Sequence, residues 1–340
     1  MIAVLSAVLP LLTAVAQAPG PAALVRDLQH KDPLVRIRAC VAAAKATAHE
    51  PALIKALLAA REYPVPPPSA MDSVDFHAVA ALQACGQNAS PMLIEGLGDR
   101  QLRDRAARVL GVIRPVDPAT LPALRKCLDE NIRDPAAMCV VVGAIGALGA
   151  DGKNAVPDLI ALVTSKERLK ATLAGNPVSM LFGNALIAFG QIGPEAEAAI
   201  PTLLTLAETA TGINAPLVRR LSIKSLGQIG FGPEGAAGAG CAPEILAALR
   251  KGCKDADPTV VTEAETASAL LDPDCAAPVP ARQQGLRHRD ARVRLQTCRV
   301  LGAMGGKAAA ARKELEKMLK DDPDHDVRHE AVAALKRIAP

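Results

Sequence analysis

Tryptophan is absent from this 340-residue chain, Tyr occurs once and Phe four times, although 50% of the residues are hydrophobic. A core without rings has to be built from Ala, Val, Leu and Ile. The same shortage excludes functions: stacking platforms for single-stranded nucleic acid and aromatic cages for cations both need rings. The chain also lacks the low hydrophobicity and one-signed charge that disorder requires, since 39 Lys and Arg face 35 Asp and Glu. Its 25 Gly follow no three-residue period, so it is not collagen-like. No His-Glu-x-x-His, no Gly-x-Ser-x-Gly and no close Cys-x-x-Cys pair occurs, which removes the sequence signatures of the zinc peptidases, the nucleophile elbow and zinc ribbons. Beyond the N-terminus no uninterrupted apolar run reaches the roughly 20 residues of a membrane span.

What is present begins with an apolar stretch from Ile2 to Ala16 that runs into the small residues Ala14-Val15-Ala16 and Ala16-Gln17-Ala18. Its length and small-residue end read as a secretory signal peptide over residues 1–18. The n-region carries no Lys or Arg, and Pro19 follows Ala18, so cleavage is expected after Ala16 or just beyond. The expectation is export to the periplasm or the extracellular medium; without cleavage the chain is a cytoplasmic protein with an N-terminal extension. Residues 19–340 are expected to form one domain.

The remainder repeats itself. From Val327 the apolar positions Val327, Ala331, Ala334, Leu335 and Ile338 fall at offsets 0, 4, 7, 8 and 11, one face of an α-helix. The same template fits Val293 to Met304, Val218 to Ile229, Leu181 to Ile192, Ala137 to Leu148 and Leu102 to Ile113, with weaker copies from Val35, Val74 and Val260. Nine starting points between 35 and 327 give a mean period of about 36 residues, the length of a helical-repeat unit. Six of these helices, here called helices B, follow a second signal, a Pro with Leu or Ile two residues later: Pro51, Pro91, Pro122, Pro157, Pro201 and Pro243. Pro costs nothing in a first helical turn, where its missing N–H has no partner anyway, so these mark a helix A. Asp32-Pro33, Asp134-Pro135 and Asp257-Pro258 supply a capping carboxylate and an N1 Pro to helix B. Gly149, Gly193, Gly230 and Gly305 follow the last anchor and are expected to end helix B in the left-handed conformation.

The motifs Gly190-Gln191-Ile192-Gly193 through Ala199-Ile200-Pro201-Thr202-Leu203-Leu204, and Asp324 to Ile338 with Val327-Arg328, resemble the HEAT-repeat superfamily, specifically its short HEAT-like form found in phycobiliprotein lyases. The resemblance covers Pro21 to Ala339. It implies an all-α fold, an α-solenoid coiled as a right-handed superhelix of about nine antiparallel helix pairs, and a binding scaffold rather than chemistry. Arg follows the first anchor as Arg36, Arg103, Arg219, Arg294 and Arg328, whereas Asp75, Met138, Phe182 and Val261 interrupt that series. His49-Glu50 and His329-Glu330 resemble the iron-holding pairs of deoxyhypusine hydroxylase, also built from HEAT-like repeats. Only His329-Glu330 is in register, and one pair cannot supply a di-iron site. His288, His325 and His329 are close in sequence, but no Cys shares their spacing and a solvated surface accounts for them. No cofactor and no metal is expected.

Three segments break the period: the Pro-rich stretch Arg61 to Ser73, an insertion between Thr164 and Asn176, and the Gly-rich stretch Gly230 to Gly240, which lacks the Lys-Ser/Thr of a phosphate-binding loop. Cys85 sits on the core face as a small hydrophobe. In an exported chain, Cys241 with Cys275 and Cys127 with Cys139 have feasible topology for disulfides across helix hairpins. From Arg282 onward 14 Lys and Arg face 8 Asp and Glu, against a net charge of +4 for the whole chain, so the basic excess lies in the last repeats. The candidate protein-binding residues are Arg219, Arg220, Lys224, Arg292, Arg294, Arg299 and Arg328. The reading is a monomeric, non-enzymatic scaffold whose helix-B face binds another protein, with acidic proteins among the candidate partners. A lyase-type or metal-holding solenoid and a nucleic-acid-binding solenoid are the alternatives; export disfavours nucleic acid.

Overall fold

A computed structural model describes residues 19–46, 50–60, 73–130, 134–168, 179–231, 243–271, 284–287 and 291–338. The expected signal peptide, most of the Pro-rich and Gly-rich stretches, and both Cys241 and Cys275 lie outside the described residues. Every regular element among the described residues is helical. The chain forms two compact units, residues 1–130 and 131–340.

In the first unit the helices are α1 (Pro21–Leu28), α2 (Pro33–Ala44), α3 (Pro51–Ala59), α4 (Val74–Ala84), α5 (Ser90–Gly96), α6 (Arg103–Val112) and α7 (Thr120–Glu130). The second holds α8 (Pro135–Ala147), α9 (Val156–Thr164), α10 (Ser179–Ile192), α11 (Ile200–Thr209), α12 (Ala215–Phe231), α13 (Pro243–Gly252), α14 (Pro258–Leu271), α15 (Ala291–Ala303), α16 (Arg312–Asp321) and α17 (His325–Ile338). All nine helices B are where the template places them: α2, α4, α6, α8, α10, α12, α14, α15 and α17. Successive helices B pack on one another, α2 on α4 and α4 on α6 in the first unit, and α8, α10, α12, α14, α15 and α17 in chain order in the second. Each unit therefore stacks its helices as an α-solenoid does, because no pair can bury its apolar face alone.

Local chemistry sets the boundaries. Asp32, Asp134 and Asp257 accept from Leu34 N at 2.9 Å, Ala137 N at 3.2 Å and Thr259 N at 2.8 Å, and so cap α2, α8 and α14. Gly149, Gly193 and Gly305 have φ of 64°, 76° and 56°. Each leaves helix B in the left-handed region and opens a seven-residue 3₁₀ turn into the next helix A: Gly149–Ala155, Gly193–Ala199 and Gly305–Ala311. Gly230 departs from the expectation. It lies inside α12, which continues to Phe231. The reason is downstream: the next helix A starts only at Pro243, so no short connection demands a left-handed exit there.

The core follows the offsets. In α10, Leu181, Ala185, Ala188, Phe189 and Ile192 are all buried, as are Val218, Ser222, Ser225, Leu226 and Ile229 of α12. Among the described residues Phe182 and Phe189 are the largest fully buried side chains. At the Gly of offset 9 the contact between helices B is too close for any larger side chain. A Cβ added to Gly146 would lie 2.8 Å from Ala188 Cα, one on Gly227 2.6 Å from Ala267 Cβ, and one on Gly302 2.9 Å from Ala334 Cα. In each case a Gly at offset 9 of one helix B meets the small residue at offset 7 of the next, so backbones approach to near contact and Ala fills the seam.

Candidate functional site

The predicted binding arginines divide into two groups. Arg219 of α12 clasps Asp255 through two bonds of 2.7 and 2.8 Å and also donates to Ala210 O at 3.3 Å. Arg294 of α15 clasps Asp322 in the same fork, at 2.7 and 2.9 Å. Arg328 of α17 donates to the carbonyls of Asp322 at 2.7 Å and Pro323 at 3.1 Å. Arg36 and Arg103 repeat this with His30 O at 2.6 Å and Leu97 O at 2.9 Å. Arg36, Arg103, Arg219 and Arg328 therefore staple the turn before their own helix B, and Arg219 and Arg294 grip the turn of the next repeat. These guanidiniums are spent inside the fold, and Arg219, Arg294 and Arg328 leave the candidate surface for that reason. Their acidic partners belong to an Asp-x-Asp turn. In Asp255-Ala256-Asp257 and Asp322-Pro323-Asp324 the first Asp pairs with Arg and accepts from the second, at 2.8 and 3.0 Å. Hydrogen bonds from Arg219 and Arg294, respectively, hold the carboxyls of Asp255 and Asp322 below the usual range.

The first unit solves the same problem in reverse. Asp75, which interrupts the Arg series, accepts from Arg105 and Arg108 of α6 at 2.8 Å each. Arg105 also reaches back to the carbonyls of Leu57 at 3.0 Å and Leu58 at 2.6 Å. Burial pushes the Asp75 carboxyl up, but the two guanidiniums outweigh it and leave it below its ordinary value. Sequence reasoning missed this cluster; its signal was an acid at the first-anchor Arg position followed one repeat later by two arginines.

Arg220, Lys224 and Arg299 form the second group. Arg220 and Lys224 stand one turn apart on α12, half-buried, and make no ion pair among the described residues. They face Glu263 of α14, whose carboxyl is pushed up by burial while Lys224, Arg220 and Arg299 pull it down. Arg299 Nε lies 3.0 Å from Glu330 of α17. Arg292 lies on α15, and its side chain is outside those described. Next to Lys224 a groove of about 570 Å³ opens along α10, α12 and α14, lined among others by Gly190, Gln191, Gln228, Glu263 and Thr266. Gln191 and Gln228 are exposed at offset 10 of their helices, and neither makes a hydrogen bond among the described residues.

The cysteines and histidines take other roles. Cys127 and Cys139 stand as thiols, and the Cys127 Sγ donates to Leu97 O at 3.8 Å, inside the packing of α5 and α7. Cys85 is buried and donates to Ala81 O at 3.2 Å, as a small core residue does. His49 and His288 are outside the described residues, while His325 is exposed beside Asp326 at 3.5 Å. Among the described residues no three His, Cys, Asp or Glu side chains gather where a metal ion would fit, and no helix is long and apolar enough to cross a membrane.

Residues 246–336 match the family model of HEAT repeats. The match runs from within α13 into α17 and includes the Arg294–Asp322 staple. No curated protein matches the chain. Among solved structures, a crystal structure of an engineered protein from the Northeast Structural Genomics Consortium is similar at 19% identity over 96% of this chain and 90% of that one, with a TM-score of 0.39. A homology model of the full-length AP-3 complex in an intermediate open conformation is 14% identical over 89% of this chain and 54% of that one, with a TM-score of 0.46. The structure of human deoxyhypusine hydroxylase in complex with glycerol is 18% identical over 90% and 97% of the two chains, with a TM-score of 0.33.

Proposed function

We propose that the chain is a non-enzymatic scaffold that binds another protein through the exposed faces of its helices B. The observation that carries this reading is the division of the polar side chains. Those at the repeat turns are consumed by staples between neighbouring repeats, whereas Gln191, Arg220, Lys224 and Gln228 on the helix-B faces remain uncommitted among the described residues. A solenoid presents such a series as an extended surface, the geometry suited to a protein partner. Photo-crosslinkers placed at Thr262 and Thr266 of the helix-B α14, and at Lys313 and Lys317 of the helix-A α16, test the proposal in the native compartment. A partner captured from the helix-B positions alone is the expected result; capture from α16 alone, or a pigment or metal bound stoichiometrically to the purified protein, refutes it.

Export is part of the same proposal and rests on the apolar run before Ala16 with its small-residue end. Sequencing the N-terminus of the native protein is expected to start just after Ala16, and an intact Met1 overturns it. In that compartment Cys241 and Cys275 are proposed to pair; alkylation of both without reductant refutes the bridge.

A further inference from the structure

The groove along α10, α12 and α14 holds a particular combination of groups. Gln191 and Gln228 occupy the same register on neighbouring helices, each lying across the Gly at offset 9 of the helix before it, Gly146 and Gly190 respectively. A primary amide offers both a donor and an acceptor, the complement of a peptide unit. Packed helices run about 8–10 Å apart, so the two amides fall two to three residues apart along a chain that rises about 3.3 Å per residue. Lys224 lines the groove beside them, and Arg220, one turn earlier on α12 and outside the lining, faces the same Glu263, whose own charge is opposed by its burial. Glu195, at the far edge of the groove, is already paired with Lys153 at 3.6 Å. With Glu195 so paired, Arg220 and Lys224 against Glu263 leave a balance of one positive charge, and Ala150, Ile192 and Ala267 make part of the groove's lining apolar.

We infer that this groove takes an extended segment of a partner protein, its main chain held by Gln191 and Gln228 and one acidic side chain held by Arg220 and Lys224. The inference rests on the scaffold reading above and names the place and the chemistry of its partner. Recognition by amides and charge also suits a groove whose lining holds no aromatic residue, because main-chain bonds supply affinity and the carboxylate supplies selectivity.

Selection of a displayed library of random linear peptides on the full chain, with affinities of the enriched peptides measured by fluorescence polarisation, tests it. The expected peptides share an Asp or Glu at one position. Their affinity falls about tenfold in Gln191→Leu and again in Gln228→Leu, the loss of roughly one net hydrogen bond each. Lys224→Glu reverses the preference from acidic to basic peptides, and Glu263→Gln tightens acidic ones. All four positions lie on exposed or half-buried helix faces, and unchanged helical circular dichroism identifies folded variants. Enriched peptides without an acidic position, affinities untouched by both glutamine changes, or no enriched peptide at all overturns the inference. The crosslinking experiment separates its failure from that of the scaffold: a partner captured at helix-B positions but indifferent to Gln191→Leu, Gln228→Leu and Lys224→Glu defeats the groove alone, whereas capture from α16 alone defeats both.

Discussion

Replacing Asp322 by Asn asks how much of the coupling between the last two repeats resides in one ion pair. The two bonds from Arg294 to Asp322 are 2.7 and 2.9 Å long, and the side chains are 11% and 4% exposed. Removing one partner of a buried pair costs about 3–5 kcal/mol, because the other charge stays buried and unmatched. Arg294 retains some access to water, and the Asn oxygen can still accept from Asp324 N, so the lower end, about 3 kcal/mol, is expected. Arg294→Met alone strands the carboxylate, and the double variant strands nothing; the pair should therefore couple by about 2 kcal/mol or more in a double-mutant cycle. Solenoid stability is a chain of neighbour terms, so the assay is hydrogen exchange of α15 and α17 amides in mild urea rather than a global melt. The pH profile adds an independent check. Asp322 is held below the carboxylate range, chiefly by Arg294; the unfolded value is about 3.9. The pair's contribution is therefore full above that value and is lost as pH falls through the lower folded one. Asp322→Asn should lack that acid-side loss. Additive single variants, or the same acid profile with and without Asp322, would refute the staple as a stabilising device.

The same close packing sets other expectations. Gly143→Ala should stabilise α8 by about 0.5–1 kcal/mol through helix propensity, since nothing lies within 4 Å of the added Cβ; Gly146→Ala, one turn on, should cost about 1–3 kcal/mol because its Cβ meets Ala188 backbone. Thermal melts that fail to rank the two on opposite sides of the wild type would count against the close approach of α8 and α10. Gly193→Ala meets no atom within 4 Å but inherits a φ of 76°, so it should lose about 1 kcal/mol for backbone reasons alone, again read by melting temperature. Burial pushes the Cys85 thiol up to about 11 and that of Cys298 up to about 12. Mass spectrometry after brief alkylation at mildly alkaline pH should find both unmodified until denaturant is added, and rapid native labelling would contradict their placement in the core.

How far the residues announced this arrangement depends on how far apart the interacting partners lie in the chain. The helix-B faces were legible at all nine positions because the offsets 0, 4, 7, 8 and 11 are properties of a single helix. Asp32, Asp134 and Asp257 were legible as caps because a cap acts two or three residues away. Gly86 escaped notice even though it stands twelve residues after Val74, with a φ of 58°, because its 3₁₀ turn is only four residues long and resembles the others weakly. Gly230 misled for the opposite reason, having the right offset but no nearby helix A to enter. The cations were the hardest to sort. Arg219 and Arg220 are adjacent, yet helical rotation of about 100° per residue sends one to Asp255 and leaves the other on the surface. That assignment needs a residue 36 positions away, which a count of basic residues does not contain. The Asp-x-Asp turn before α14 and α17 was the available signal, once paired with an Arg one repeat earlier.

The shortage of aromatic residues connects these scales. Trp, Tyr and Arg anchors dominate many interfaces by filling pockets deeply, and a seam in which Gly at offset 9 meets Ala or Ser at offset 7 leaves no such depth between helices B. Side chains at offset 10 must then lie across the neighbouring helix, as Gln191 lies across Gly146 and Gln228 across Gly190. The close seam between these helices thus also lays two flat, hydrogen-bonding amides side by side on the surface. A partner that inserts a bulky side chain gains little there, while one that offers its main chain finds groups already oriented, with less ordering left to oppose binding.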